Sequence, residues 1–153
     1  MFHCLIFLSF KIEYDIVNFV SAMMTKKEHI DYWKDIAELD WNRVLRQFEQ
    51  SDYVFALFCL QMQFEKLAKA LWVKQNVENI PPRVHDIIAI LNETNLELTE
   101  DDIRFLYDLN RYQLEGRYPD YRKNIYKITS RRYADEMINK GKIFKAWIEK
   151  ALQ

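Results

Sequence analysis

From residue 25 to residue 152, apolar positions recur at the three- and four-residue steps of helices, not at the two-residue step of strands. Thr25 and Glu28 have the Thr-x-x-Glu spacing of a capping box, and Trp33, Ile36, Ala37, Trp41, Val44, Leu45 and Phe48 then mark one stripe of a first helix that closes near Gln50. Ser51 is placed to cap a second helix. Its residues 53–64 are apolar almost all round before the stripe narrows to Phe64, Leu67 and Leu71, which predicts a central helix or one shared with a second subunit. Residues 76–82 break the pattern, because Pro81 and Pro82 lack amide donors and disfavour helix just before them. A short third helix is expected over residues 83–92. Thr99 with Asp102 signals a fourth, carrying Ile103, Leu106, Tyr107, Asn110 and Leu114 on one face and stopping at Gly116. Residues 117–129 read as a loop, and Ser130 begins a last helix with Met137, Phe144, Trp147, Ile148 and Leu152 inward.

Composition agrees with this reading. The 153 residues suit one domain, which at this length buries about 70% of its unfolded surface without staples. Only 2 glycines and 3 prolines interrupt a chain that is 50% hydrophobic, so long helices are favoured over a turn-rich sheet. The predicted fold is all-α, an up-and-down bundle of four to five helices over residues 24–153. Residues 1–23 stand apart as an N-terminal extension. Its first ten residues are apolar but lack a basic flank, and Lys11, Glu13 and Asp15 follow, so neither a signal peptide nor a membrane span is expected. Helical start signals first appear after this stretch, which predicts that translation begins at Met23 or Met24. Cys4 and Cys59 lie far apart, and Cys59 sits in an apolar run, as expected for a buried thiol in the reducing cytoplasm.

Lys plus Arg (22) nearly cancels Asp plus Glu (23), so any contact with nucleic acid must be local. Two glycines cannot build either a Gly-x-x-x-x-Gly-Lys loop or a Gly-x-Gly-x-x-Gly turn, which leaves phosphate binding to side chains. His3, His29 and His85 and the two cysteines show no metal-ligand spacing, so no metal and no cofactor are expected. His85 and Asp86 are adjacent and, on a helix, would point in different directions, which argues against an oriented nucleophile and base.

Three stretches occur in order: Gln61-Met62-Gln63-Phe64-Glu65-Lys66-Leu67-Ala68-Lys69-Ala70-Leu71, then Val84-His85-Asp86-Ile87-Ile88, then Leu114-Glu115-Gly116-Arg117-Tyr118-Pro119-Asp120. With Tyr32-Trp33 early in the first helix and Ile143-Phe144-Lys145-Ala146-Trp147-Ile148 in the last, the chain resembles the HEPN (higher eukaryotes and prokaryotes nucleotide-binding) family over roughly residues 31–152. The resemblance implies a bundle of four or five helices, a homodimer, a prokaryotic setting and a small nucleotidyltransferase partner, sometimes as toxin and antitoxin. Its catalytic branch cleaves RNA with an Arg followed after four to six residues by a His. That motif is missing, since the positions before His85 hold Ile80, Asn79 and Glu78, those before His29 hold Met24, Met23 and Ala22, and His3 has no room for a partner. No catalytic residue is therefore assigned, and the expectation is a binding module of the non-ribonuclease branch for a nucleotide or RNA, accessory to a nucleotidyltransferase. The alternatives are a pure protein-interaction homodimer and a ribonuclease with an atypical site, for instance His85 or Arg111 with Arg117.

The matched stretches point to Lys69, His85, Arg117 and Tyr118 as binders of the anion, with Glu65, Asp86, Pro119 and Asp120 orienting them. Six basic residues between 117 and 132 (Arg117, Arg122, Lys123, Lys127, Arg131 and Arg132) face one acid, Asp120, with Tyr118, Tyr121 and Tyr126 interleaved, a composition that offers phosphate contacts and stacking faces. Each feature also has a plainer reading. His85 can bond a neighbouring carbonyl; Glu65, Lys66 and Lys69 can form a solvated face whose i,i+4 pair contributes about 0.3–0.5 kcal/mol. The basic loop can be solvated and balanced by Glu93, Glu97, Glu100, Asp101 and Asp102, while Arg117 caps carbonyls of the fourth helix and Pro119 sets the turn.

Overall fold

The computed structural model describes residues 24–153; the extension of residues 1–23, with its start-site expectation, lies outside the described residues. Six helices follow one another: α1 (Lys26–Glu49), α2 (Tyr53–Gln75), α3 (Ile87–Leu91), α4 (Glu100–Glu115), α5 (Asn124–Ile128) and α6 (Arg131–Ala151), with no strand among the described residues. The four long helices form the up-and-down bundle, and α3 and α5 are single-turn elements within its connections.

Helix starts follow side-chain chemistry. Both halves of the capping box close at Thr25 with Glu28 and at Thr99 with Asp102, and Ser130 caps α6 through the Tyr133 amide. Ser51, however, does not cap α2. It takes a left-handed conformation (φ 63°) in which its amide reaches Phe48 O and the Asp52 amide reaches Gln47 O, the Schellman pattern that ends α1. The cap therefore falls to Asp52, whose carboxylate accepts from the Phe55 amide at 3.2 Å. The third helix is shorter than its apolar pattern predicts, because Asp86 accepts from the Ile88 and Ala89 amides and starts α3 only at Ile87. His85 consequently lies outside the helix. The segment expected as loop contains α5, whose first amide is held by Asp120.

At the end of α4, Gly116 answers a close approach, not a left-handed turn: a Cβ there would lie 2.5 Å from Tyr112 O. Gly141 on α6 lets that helix approach α2, since an added Cβ would meet Leu60 at 3.2 Å. α2 is the central element and packs against α1, α3, α4 and α6. Its Phe64 anchors an edge-to-face cluster with Phe105 of α4 (5.8 Å) and Phe144 of α6 (5.4 Å). No helix among the described residues is long and apolar enough to cross a membrane.

Candidate anion-binding site

The polar residues of α2 do not form a solvated face. Glu65 and Lys69, at 8% and 7% exposure, sit inside the bundle and pair at 2.7 Å. Asp40 of α1, fully buried, ion-pairs with Lys66 of α2 and with Arg43. Burying a charge is costly without a partner, so these polar groups enter the interior as pairs.

Around Glu65 the structure assembles groups from three elements. Lys69 lies 5.2 Å from the Trp33 ring centroid of α1, and His85, from the connection before α3, places Nδ1 3.1 Å from Glu65 Oε2. Gln61 Nε2 donates to the backbone carbonyl of His85 at 2.8 Å, holding that connection against α2. The imidazole stays largely exposed, with 63% of its side-chain surface accessible. A carboxylate on Nδ1 favours the proton at that nitrogen, so Nε2 is the atom presented outward. Asp86 faces away. It caps α3 and accepts from Asn110 Nδ2 of α4 at 2.7 Å, while Asn110 Oδ1 accepts from the Ile87 amide.

Arg117 and Tyr118 lie further along the bundle. The Arg117 guanidinium sits 5.8 Å from Phe58 and 5.7 Å from Tyr118, and its Nε donates to Gln113 O at 2.8 Å. Phe58 and Glu65 are seven residues apart on α2, about 10 Å along its axis. Arg117, which follows α4, thus packs against the same helix as the Glu65 cluster but about two turns away from it. Tyr118 (71% exposed), Pro119 and Asp120 are at the surface, with Asp120 bonding the Asn124 amide and side chain. The basic tyrosine-rich segment reaches the end of α1, where Arg131 lies 5.9 Å from Phe48.

A family model of the HEPN domain matches residues 30–151. This chain belongs to the HEPN family. Among solved structures, ST0689, an archaeal HEPN homologue, superimposes with a TM-score of 0.65 at 26% identity, over 81% of this chain and 98% of that one. No curated protein matches the sequence.

Sequence pattern pointed to Lys69, His85 and Glu65, and these three meet in the HEPN domain. The sequence places Trp33 in the stripe of the first helix, Asn110 on the face of the fourth and Gln61 in a matched stretch, but names none of them as a site residue; their contacts come from residues 20 or more positions away, which local pattern does not encode. Among the described residues no group of three His, Cys, Asp or Glu side chains is arranged to hold a metal ion. What the cluster offers chemically is an outward imidazole nitrogen beside a charged pair and two exposed-edge aromatics, Tyr32 and Trp33, that meet at 5.4 Å.

Proposed function

We propose that this HEPN domain binds the phosphate of a nucleotide or of single-stranded RNA without turning it over, and serves as the accessory subunit of a small cytoplasmic nucleotidyltransferase. The observation that carries this reading is the exposed His85 ring oriented by the buried Glu65, which is itself tied to Lys69. Protonated on both nitrogens, the imidazole becomes a charged donor to a phosphate oxygen, and the Arg117–Tyr118 pair and the neighbouring basic residues supply further contacts along the strand. A chain longer than one nucleotide bridges the step between the two groups.

Calorimetric titration with ATP, GTP and short oligoribonucleotides tests this. Binding that weakens by about ten- to a hundredfold in His85→Ala and in Arg117→Ala supports a shared site, because each would remove one charged contact of about 1.5–3 kcal/mol. Silence across the panel with the native protein removes the proposal, and cleavage of the RNA would restore the atypical ribonuclease.

A second reading rests on the apolar surface around the same Arg117–Tyr118 pair. Phe55, Leu114 and Tyr118 are 41%, 60% and 71% exposed around the Arg117–Phe58 contact, the Phe, Tyr and Arg composition that anchors protein interfaces. It fits a homodimer contact through the apolar start of α2. Sedimentation of Phe55→Glu beside the native protein separates the readings: a dimer that dissociates, with ligand binding absent, selects the interaction subunit.

A further inference from the structure

A groove on another side of the molecule takes no part in either reading. Phe105 of α4 and Phe144 of α6 meet at 5.9 Å, and Trp147 extends the row at 5.4 Å from Phe144. α4 and α6 both pack on α2 but touch each other little, which leaves an open groove of about 590 Å³ above these rings. Ile143 stands on its rim, 76% exposed. An apolar floor edged by charged residues is the surface composition of a docking site.

We propose that this groove receives an amphipathic helix of a partner protein, with apolar anchors at i, i+3 or i+4, and i+7, basic residues on the flank facing α4 and an acid on the flank facing α6. Three observations select that occupant. The α6 wall from Lys140 to Trp147 advances seven residues, about 10 Å, which matches the reach from i to i+7 on a docked helix. Both walls are helices whose backbone groups bond internally, so an extended peptide finds no ladder to join, whereas a helix brings its own hydrogen bonds. The charges are two-sided. On α4, Glu100, Asp101 and Asp102 face a single cation, Arg104, at 3.0 Å from Asp101 and 3.7 Å from Glu100, which leaves a surplus of negative charge; on α6 the rim carries Lys140. Opposite signs on the two walls fix the direction in which the helix lies.

The test uses fluorescence anisotropy with labelled synthetic helices of about four turns, long enough to hold helical structure. One has leucines at i, i+4 and i+7, lysines on one flank and glutamates on the other; a second carries glutamates on both flanks; a third has serines in place of the leucines. The first is expected to bind native protein at least about tenfold more tightly than the other two, and Ile143→Glu to weaken it by a similar factor, since anchors in an apolar groove dominate such contacts. The Glu100→Lys, Asp101→Lys double variant should prefer the all-glutamate peptide. All substituted residues are exposed, so unchanged melting temperatures confirm folding. Equal binding of the serine peptide, indifference to Ile143→Glu, or no binding of any peptide overturns the proposal. So does self-association of the native protein that Ile143→Glu abolishes, which would make the occupant a second copy.

Discussion

The polar side chains of α2 and those of residues 117–132 are similar in type, yet the bundle treats them oppositely. Along α2, Glu65, Lys66 and Lys69 find partners from α1, from one another and from the connection before α3, and they stay inside. Between α4 and α6 the charged groups are exposed, and the contacts that order the segment include the Arg117 bond to Gln113 O, the Asp120 bonds to Asn124 and the Tyr112 bond to Thr129. Interior charges commit the fold to one arrangement, because any other leaves them unpaired; surface charges remain available to a ligand. The Glu65 cluster stands at the boundary between the two regimes, buried at its carboxylate and open at its imidazole.

Breaking an interior pair should therefore cost most. Asp40→Ala removes the fully buried carboxylate that holds Lys66 and Arg43, and is expected to destabilise by about 3 kcal/mol and lower the melting temperature by roughly 6–12 °C. Adding Lys66→Met should recover most of the loss, since the stranded charge goes with it. Urea denaturation of the single and double variants measures both; a loss in the single variant below about 0.5 kcal/mol would mean that the pair behaves as a surface bridge.

Glu65→Gln comes next, at about 2 kcal/mol, because Lys69 loses its anion while 7% exposed. The same change removes the acceptor that orients His85. Nitrogen shifts of the imidazole should then move toward the mixture of tautomers found in a free ring, and a ring unaffected by Glu65→Gln would separate His85 from the interior cluster.

These interior pairs were the least legible part of the chain. Capping residues such as Thr25, Thr99 and Ser130, the breakers Pro81 and Pro82 and the stripe through Phe64, Leu67 and Leu71 act over one or two turns, and local pattern locates them. Asp40 to Lys66 is a contact 26 residues apart, and Glu65 to His85 one of 20, so nothing near Lys66 or Glu65 announces burial. Ser51 and Asp52 show the same limit at short range. Both are good caps by type, and the choice between them is made by the Schellman turn that claims Ser51.

Beneath the exposed segment, the buried Tyr112 donates its hydroxyl hydrogen to Thr129 Oγ1 at 2.7 Å, since that hydroxyl already donates to Ile125 O. Tyr112→Phe should cost about 1 kcal/mol, measured by urea denaturation. Burial also pushes the Tyr112 phenol up from 10.0 to about 12 and the Cys59 thiol from 9.0 to about 11. Both groups stay protonated in the folded protein where the unfolded chain has begun to ionise. Stability is then complete below pH 9 and falls as the pH rises through 9–12, because the unfolded state binds fewer protons there. Denaturation at a series of alkaline pH values should show the fall, with Tyr112→Phe flattening its upper part.

The smallest expected effect compares the two connections at the same end of the bundle. Ser51 (φ 63°) and Lys123 (φ 51°) both hold left-handed conformations that glycine adopts without a Cβ penalty. At Ser51 the turn is closed by the Phe48 and Gln47 carbonyls, so Ser51→Gly keeps those bonds while relieving the penalty, and should raise stability by about 0.5 kcal/mol. Lys123→Gly should gain less, because its segment is largely exposed and the freedom glycine adds to the unfolded chain offsets the relief. Equal gains at the two sites, read from paired melting curves, would show the 117–129 connection to be as tightly determined as the α1–α2 turn, and would weaken its assignment as the adaptable, ligand-facing side of the molecule.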